Sequence, residues 1–222
     1  MREDYTHITV ILDRTGSMEA IRDDTIGGFN AFVQAQRAEP GTATLTLVQF
    51  DSQDPYEVVM RSVPIGEVPP LTRETYVPRA ATPLLDAIGR GIVDLEHCLA
   101  TMPESERPGR VVVVIITDGQ ENASREYRKD QITQMIQNKQ GLLGWQFVFL
   151  SADLDALDDA IRSGVRAPQA MSFDQTGEGV QEAFSALSTR MGEYRRNQRP
   201  SLDFEEEDRR RQQSETRRRK RH

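Results

Sequence analysis

Five oxygen-bearing side chains stand at three separated points of the sequence, each next to an apolar stretch. They are Asp13, Thr15, Ser17, Thr82 and Asp118. Carboxylate and hydroxyl oxygens suit Mg²⁺ or Mn²⁺, and Ca²⁺ to a lesser degree, better than zinc or copper. Because three of the five donors are weak neutral hydroxyls, a bound divalent ion would keep electrophilic character and an open position. The set therefore predicts a metal site that could hold an acidic side chain of a partner.

Two apolar stretches must bring these donors together. Residues 7–13 and 110–117 are the most strand-like stretches, and they end at Asp13 and next to Asp118. Their apolar residues are too dense for a sheet with one solvated face, which indicates parallel strands covered on both sides. In an open α/β sheet, ligands bind beyond the carboxyl ends of strands where the strand order reverses. We expect these two strands to be neighbours at that point.

The rest of the chain alternates between strand and helix patterns. Residues 43–50 predict a second strand, and residues 56–63 predict its antiparallel hairpin partner. Between residues 64 and 83 lies a loop with five prolines, of a length that tends to be functional. Thr82 is predicted to cap the following helix and Pro83 to take its first position. The alternation predicts an α/β fold with a doubly wound, mostly parallel sheet.

Three segments together resemble the von Willebrand factor type A domain. They are Asp13-x-Thr15-x-Ser17, Thr82-Pro-Leu-Leu-Asp-Ala-Ile88 and Thr117-Asp118-Gly119, and they are similar to the family's metal-ion-dependent adhesion site. The resemblance covers about residues 5–195 and is strongest to single-domain bacterial and phage members. It implies a Rossmann-like sheet with one antiparallel edge strand and helices on both faces. It also implies that the five oxygen-bearing residues are the metal ligands, some of them through water. One departure is Ala80-Ala81, where relatives often have glycine.

Several residues near these segments have two interpretations. Asp51 and Ser52 end another strand; they are predicted as turn residues, with support of the metal site as the alternative. Arg14 is expected to point outward, where it could contact an acidic partner. Three residues could line the rim of the site or simply lead into a helix: Glu121, Asn122 and Arg125.

Composition predicts one cytoplasmic domain, residues 1–197, followed by a tail, residues 198–222. No stretch approaches the roughly 20 apolar residues of a membrane span, so no membrane contact is expected. The N-terminus has no apolar leader, and the single cysteine, Cys98, excludes an intrachain disulfide. Cytoplasmic localisation follows as the expectation.

The charge is divided unevenly between body and tail. Residues 195–222 hold 11 Arg or Lys and 6 Asp or Glu, whereas the rest of the chain holds 17 basic and 29 acidic residues. Acidic and basic blocks with few apolar residues predict disorder or a frayed extension of the last helix. The alternative is a basic tail that docks on nucleic acid or an acidic protein.

These observations favour a non-enzymatic binding domain in which Mg²⁺ or Mn²⁺ coordinates an Asp or Glu of a partner protein. A metal-dependent hydrolase is one alternative, since a bound ion can activate water. It would need a general base near the metal, and the sequence places no histidine there. A component of a phage or ATPase-associated assembly is another alternative.

Overall fold

The computed structural model describes the backbone of residues 1–219 and the side chains of residues 1–212. Six strands are found in this part of the chain. They are β1 (Arg2–Asp13), β2 (Thr42–Phe50), β3 (Glu57–Pro64), β4 (Pro108–Thr117), β5 (Gln146–Ser151) and β6 (Ala170–Ser172). They form one sheet in the order β3-β2-β1-β4-β5-β6. β3 pairs with β2 in antiparallel orientation, and all other neighbours are parallel.

Helices cover both faces of the sheet. They are α1 (Arg22–Ala38), α2 (Leu84–Thr101), α3 (Lys129–Leu143), α4 (Leu154–Arg162), α5 (Gly177–Arg195) and α6 (Glu206–Arg219). One apolar cluster joins α1 and α5 to the sheet, and a second joins α2, α3 and α4 to its other face. The predicted α/β class, with one antiparallel edge strand and helices on both faces, is confirmed. No helix within residues 1–219 combines the length and apolar character that crossing a membrane requires.

β1 and β4 occupy the centre of the sheet. From β1 the chain continues to β2 and β3 on one side, and it then crosses over to β4, β5 and β6 on the other. The strand order therefore reverses between β1 and β4, as expected from their sequences. Leu12 pairs with Ile116, so Asp13 lies level with Thr117 at the carboxyl edge of the sheet. Alternate residues of β4 enter the two apolar clusters, which explains its unbroken β-branched sequence.

The beginning of the expected tail is packed on the domain. Leu202 and Phe204 are buried in the cluster beneath α5, so packing on the domain continues past the boundary expected at residue 197. Asp208 of α6 accepts a 2.8 Å hydrogen bond from the buried Arg190 of α5. Two buried apolar residues and a buried ion pair therefore hold residues 202–212 against the domain, in the segment for which disorder or a frayed helix extension was expected. Residues 220–222, and the side chains of the basic run 217–221, lie outside the described part.

Candidate metal centre

Asp13 is fixed at the end of β1 by neutral hydrogen-bond donors. Its side chain is completely buried. Oδ1 accepts the backbone N–H of Thr15 at 2.7 Å, and Oδ2 accepts the hydroxyl of Thr117 at 2.5 Å. The backbone carbonyl of Asp13 accepts the hydroxyl of Tyr76 at 2.6 Å. The end of β4 and the long loop therefore both orient this carboxylate.

The hydroxyl of Ser17 connects the first loop to Asp118. Ser17 lies in a short 3₁₀ turn, Gly16–Ile21, which the buried side chains of Met18 and Ile21 anchor to the core. Its Oγ lies 3.2 Å from Oγ1 of Thr15 and donates a 2.7 Å hydrogen bond to Oδ1 of Asp118. Ser17 itself is exposed, so this point of the molecule is open to solvent.

Thr82 approaches the same point from the other side. A β-carbon added to Gly119 would lie 3.8 Å from Oγ of Ser17 and 3.8 Å from Oγ1 of Thr82. All five residues predicted from the sequence therefore gather at the junction of the first loop, the long loop and the end of β4. Their role as metal ligands stays a prediction.

Both carboxylates are buried without a cationic partner. Burial raises the pKa of Asp13 to about 7, against the lowering effect of its hydrogen bonds. Burial also raises the pKa of Asp118, whose hydrogen bonds come from Ser17 and Gln175. Among the side chains of residues 1–212, no Lys, Arg or His lies within ion-pair distance of either group. Two buried carboxylates with neutral partners fit a divalent cation, which would supply the missing positive charge.

The composition of the donor set distinguishes this centre from other metal sites. Within the described residues, no three side chains of the His, Cys, Asp and Glu types lie close enough together to hold a metal ion. Two carboxylates must therefore work with hydroxyl oxygens. This set fits Mg²⁺ or Mn²⁺ and lacks the thiolate and imidazole ligands typical of structural zinc sites.

Backbone hydrogen bonds hold Thr82, which does not cap α2. The helix begins at Leu84, and Pro83 is the residue before it, so the predicted capping role is wrong. Instead, the Thr82 N–H donates to Oδ1 of Asn122 at 2.9 Å, and the Asn122 N–H donates to the Thr82 carbonyl at 3.1 Å. Asn122 therefore positions Thr82. From the sequence alone, Asn122 could only be described as a residue at the rim of the site or before a helix.

Carboxylates attach the loop after Asp118 to the first turn of α2. Oε2 of Glu121 accepts the Leu85 N–H at 2.9 Å, while its Oε1 accepts N–H groups of its own loop. Asp86 of α2 accepts the backbone N–H groups of three consecutive residues, Arg125, Glu126 and Tyr127. The N-terminus of α2 and the loop after β4 are thus one rigid support for Thr82 and Asp118.

Arg14 is buried, and the expectation that it points outward is wrong. Its Nε donates to Oδ2 of Asp51 at 2.6 Å, and its Nη1 pairs with Glu57. Arg79 donates to the same oxygen of Asp51 at 2.9 Å. Burial acts to raise the pKa of Asp51, but the hydrogen bonds from Arg79 and Arg14 bring it below its ordinary value. A fully buried carboxylate needs cations. Arg14 can supply one because it directly follows Asp13, which pairs with Phe50 at the end of β2.

The Asp51 turn also holds the long loop in place. Oδ1 of Asp51 accepts the N–H groups of Gln53 and Asp54, which confirms its prediction as a turn residue. The Ser52 N–H donates to the Ala81 carbonyl at 2.9 Å, directly before Thr82. Asp51 and Ser52 therefore also support the loop that carries Thr82, in agreement with the alternative interpretation of these two residues.

Two further residues escaped the sequence argument. Tyr76 is fully buried, and its hydroxyl donates a hydrogen bond to the Asp13 carbonyl. Its position as the single aromatic residue of the proline-rich loop is the sequence feature that could have indicated this role. Gln175, between β6 and α5, donates to Asp118, and no local pattern marks it.

Comparison with known proteins gives structural likeness only. No protein-family model and no curated protein matches this chain. A von Willebrand factor type A structure from Catenulispora acidiphila is similar, with a TM-score of 0.55, 13% identity, and coverage of 84% of this chain and 42% of that one. Mussel byssus proximal thread matrix protein 1, with a zinc-occupied MIDAS motif, has a TM-score of 0.59, 13% identity, and coverage of 86% and 47%.

A third similar structure is the manganese-loaded TRAP protein of Plasmodium vivax. It has a TM-score of 0.53 and 14% identity, with coverage of 82% of this chain and 71% of that one. The present chain spans less than half of the Catenulispora and mussel proteins. At these identities the likeness concerns architecture alone, and it agrees with the mostly parallel sheet and the flanking helices described above. The chain has the fold of a von Willebrand factor type A domain.

Proposed function

We propose that this chain is a metal-dependent protein-binding domain. A divalent cation, Mg²⁺ or Mn²⁺, binds at the candidate centre, and an Asp or Glu of a partner protein completes its coordination. The observation that carries the proposal is the convergence of two uncompensated carboxylates with three hydroxyls at one solvent-facing point. Metal in the corresponding fold of the mussel and Plasmodium proteins supports it.

The donors divide into two kinds. Asp13 and Asp118 supply negative charge, and Thr15, Ser17 and Thr82 supply neutral oxygen atoms. A divalent ion held by only two carboxylates remains electrophilic, which favours an added carboxylate from outside. The exposed position of Ser17 leaves the approach open from the solvent side.

No observation favours the hydrolase alternative. His7 lies six residues before Asp13, about 20 Å along the strand, and His97 lies near the carboxyl end of α2. His222 lies outside the described residues. A bound ion alone does not provide the general base that hydrolysis would use. Binding is therefore the function that the geometry supports best.

Thermal unfolding tests the metal site directly. We expect wild type to unfold at a higher temperature in excess Mg²⁺ or Mn²⁺ than in EDTA. When the ion is at 100 times its Kd, the free energy of unfolding should rise by about 2.7 kcal/mol. Asp118→Ala should remove this difference. Asp155→Ala, which changes an exposed carboxylate on α4, should keep it. The metal site is rejected if wild type unfolds at the same temperature with either ion and with EDTA.

A partner test follows from the same comparison. Proteins retained by the wild-type chain in Mg²⁺ and released by EDTA should not be retained by Asp118→Ala. Retention that is equal in Mg²⁺ and EDTA would show that binding does not use the metal.

A further inference from the structure

An apolar cleft of about 110 Å³ lies beside the candidate metal centre, between α2, α3 and α4. Its apolar walls are formed by Leu84, Ile88, Ile132, Ile136, Phe149 and Val165. Apart from Asp159 at the entrance, the lining residues of α4 and of its C-terminal end are small, namely Ala156, Ala160 and Ser163, which leaves the space between the helices open. None of these groups has a role in the metal centre.

The size and lining of the cleft suit one apolar side chain. An engineered cavity of about 150 Å³ with a similar Leu, Ile and Phe lining binds benzene. Water gains little in such a space because it finds few polar partners there. A group of the size of a Leu or Phe side chain matches both the volume and the chemistry.

The entrance of the cleft is closed only by weak, exposed contacts. Nζ of Lys129 lies 2.7 Å from Oδ1 of Asp159, and both side chains are about half exposed. The amide of Gln120 bonds the carboxylates of Asp153 and Asp155 at 3.1 and 3.3 Å. Exposed polar contacts of this kind contribute little to stability, so an incoming group can displace them.

The entrance lies close to the metal centre. Gln120 follows Asp118 by two residues, so their α-carbons are at most about 7 Å apart. Leu154, which is 66% exposed, stands in the sequence between the two aspartates that Gln120 contacts. A partner held at the metal would therefore reach this entrance.

The rim of the cleft is acidic. The carboxylates of Asp153, Asp155 and Asp159 contact Gln120 or Lys129 at the entrance, whereas Lys129 and Arg162 both lie within 4 Å of the single carboxylate of Asp159. This excess of carboxylates favours a basic residue on the partner next to its apolar side chain.

We propose that the cleft between α2, α3 and α4 takes a Leu- or Phe-sized side chain, flanked by Lys or Arg, from the same partner whose carboxylate binds the metal. This inference rests on the proposed function and adds a second point of attachment to it. The partner sequence would then combine an acidic residue with a nearby apolar and basic pair.

A selection of displayed random peptides on the full chain in Mg²⁺ tests this. Ala160→Leu fills the cleft, and Ala31→Leu places the same change on the exposed side of α1 as a matched control. We expect selected peptides to contain an acidic residue and a Leu or Phe beside Lys or Arg. They should bind wild type and Ala31→Leu at least tenfold more tightly than Ala160→Leu. Ala160→Leu should keep the metal-dependent thermal shift, which shows that it is folded.

The outcomes separate the two proposals. Equal binding to wild type and to Ala160→Leu, or selected peptides without a Leu or Phe, overturns the cleft proposal. Peptides that lose affinity for Ala160→Leu but bind equally in EDTA and to Asp118→Ala leave the cleft standing and reject the metal-dependent function.

A second experiment uses only the wild-type chain, so it tests the cleft even if Ala160→Leu misfolds. Benzene added to the wild-type chain should shift the methyl resonances of Ile88, Ile132 and Ile136. The methyl resonances of Ile8 and Ile21, on the other face of the sheet, should not move. Unchanged methyl resonances of the cleft isoleucines at saturating benzene would overturn the proposal.

Discussion

The side-chain amide of Gln175 donates a 2.8 Å hydrogen bond to Oδ2 of Asp118. Because Ser17 bonds the other oxygen at 2.7 Å, the carboxylate is oriented from two sides. We expect Gln175→Leu to weaken Mn²⁺ binding by about tenfold or more, since hydrogen bonds to metal ligands commonly have effects of this size. Calorimetric titration with Mn²⁺ measures the Kd. Gln181→Leu, on the exposed side of α5, should leave the Kd unchanged, whereas an unchanged Kd in Gln175→Leu would mean that the contact does not orient a ligand.

Asp13→Asn should stabilise the metal-free protein and abolish the additional stability that the metal gives to wild type. In EDTA at pH 8 the variant removes a buried charge that has no cationic partner, so we expect it to be more stable than wild type by roughly 1–3 kcal/mol. Addition of Mg²⁺ should not raise the stability of the variant further, because the negative charge of this metal ligand is lost. Urea unfolding under both conditions measures the two differences. A variant that is less stable by the same amount in EDTA and in Mg²⁺ would show a structural role for the carboxylate only.

Ala80→Gly should stabilise the protein. Ala80 has φ +61°, a left-handed conformation that costs a residue with a β-carbon about 1–2 kcal/mol. Glycine relieves this strain, and part of the gain is offset by the greater freedom of glycine in the unfolded chain. The net expectation is about 1 kcal/mol in the free energy of unfolding from urea titration. The matched change Ala81→Gly, at a residue outside the left-handed region, should instead destabilise by about 0.5–1 kcal/mol. Equal losses in both variants would contradict the argument.

Buried His7 should make the protein less stable in mild acid. Its ring lies between Thr44 and Thr9, and burial lowers its pKa from 6.5 to about 4. Between these values the unfolded chain binds more protons than the folded chain, so stability falls as the pH drops from 6.5 towards 4. Above 6.5 this residue adds no pH dependence. The loss attributable to His7 is at most roughly 3 kcal/mol.

The measurement compares wild type with His7→Gln by urea unfolding in EDTA at pH 7.5 and pH 5. Other groups, including Asp13, titrate in both proteins, so the difference between the two pH dependences isolates His7. We expect wild type to lose more stability than the variant on acidification. Parallel pH dependences would show that His7 is not protonated on unfolding.

Phe204→Ala should destabilise the whole domain. Phe204 is 6% exposed and packs in the cluster beneath α5. Removal of a buried Phe side chain typically costs 3–5 kcal/mol, so we expect about 3 kcal/mol in chemical unfolding. Glu206→Ala, at an exposed position two residues later, is the control and should change little. Identical unfolding midpoints for Phe204→Ala and wild type would place the segment outside the cooperative unit.

Sequence patterns predicted the centre of the fold well, because a strand that is buried on both faces consists of an unbroken run of apolar residues. The β-branched run of β4 and the apolar run of β1 identified the two central strands, and the position of Asp13 and Asp118 at their ends followed. The hairpin of β2 and β3 was also confirmed, since a short connection allows only antiparallel pairing.

The errors concern contacts between residues far apart in the chain. Arg14 is buried because Asp51, 37 residues later, is buried with it, and a local pattern cannot show this pair. Thr82 is held by Asn122 across 40 residues, so the capping prediction failed although its local sequence was suitable. The tail was judged from its charge, whereas two apolar residues, Leu202 and Phe204, decide its packing.

The contact between Ser17 and Asp118 joins residues 101 positions apart, and Tyr76 reaches Asp13 across 63 positions. Contacts of such separation form late in folding, because the loops between them must close first. We therefore expect the candidate centre to be largely unformed in the transition state for folding. An interaction absent from the transition state slows unfolding and leaves the folding rate nearly unchanged. A cation bound there would extend the lifetime of the folded chain without helping it to fold.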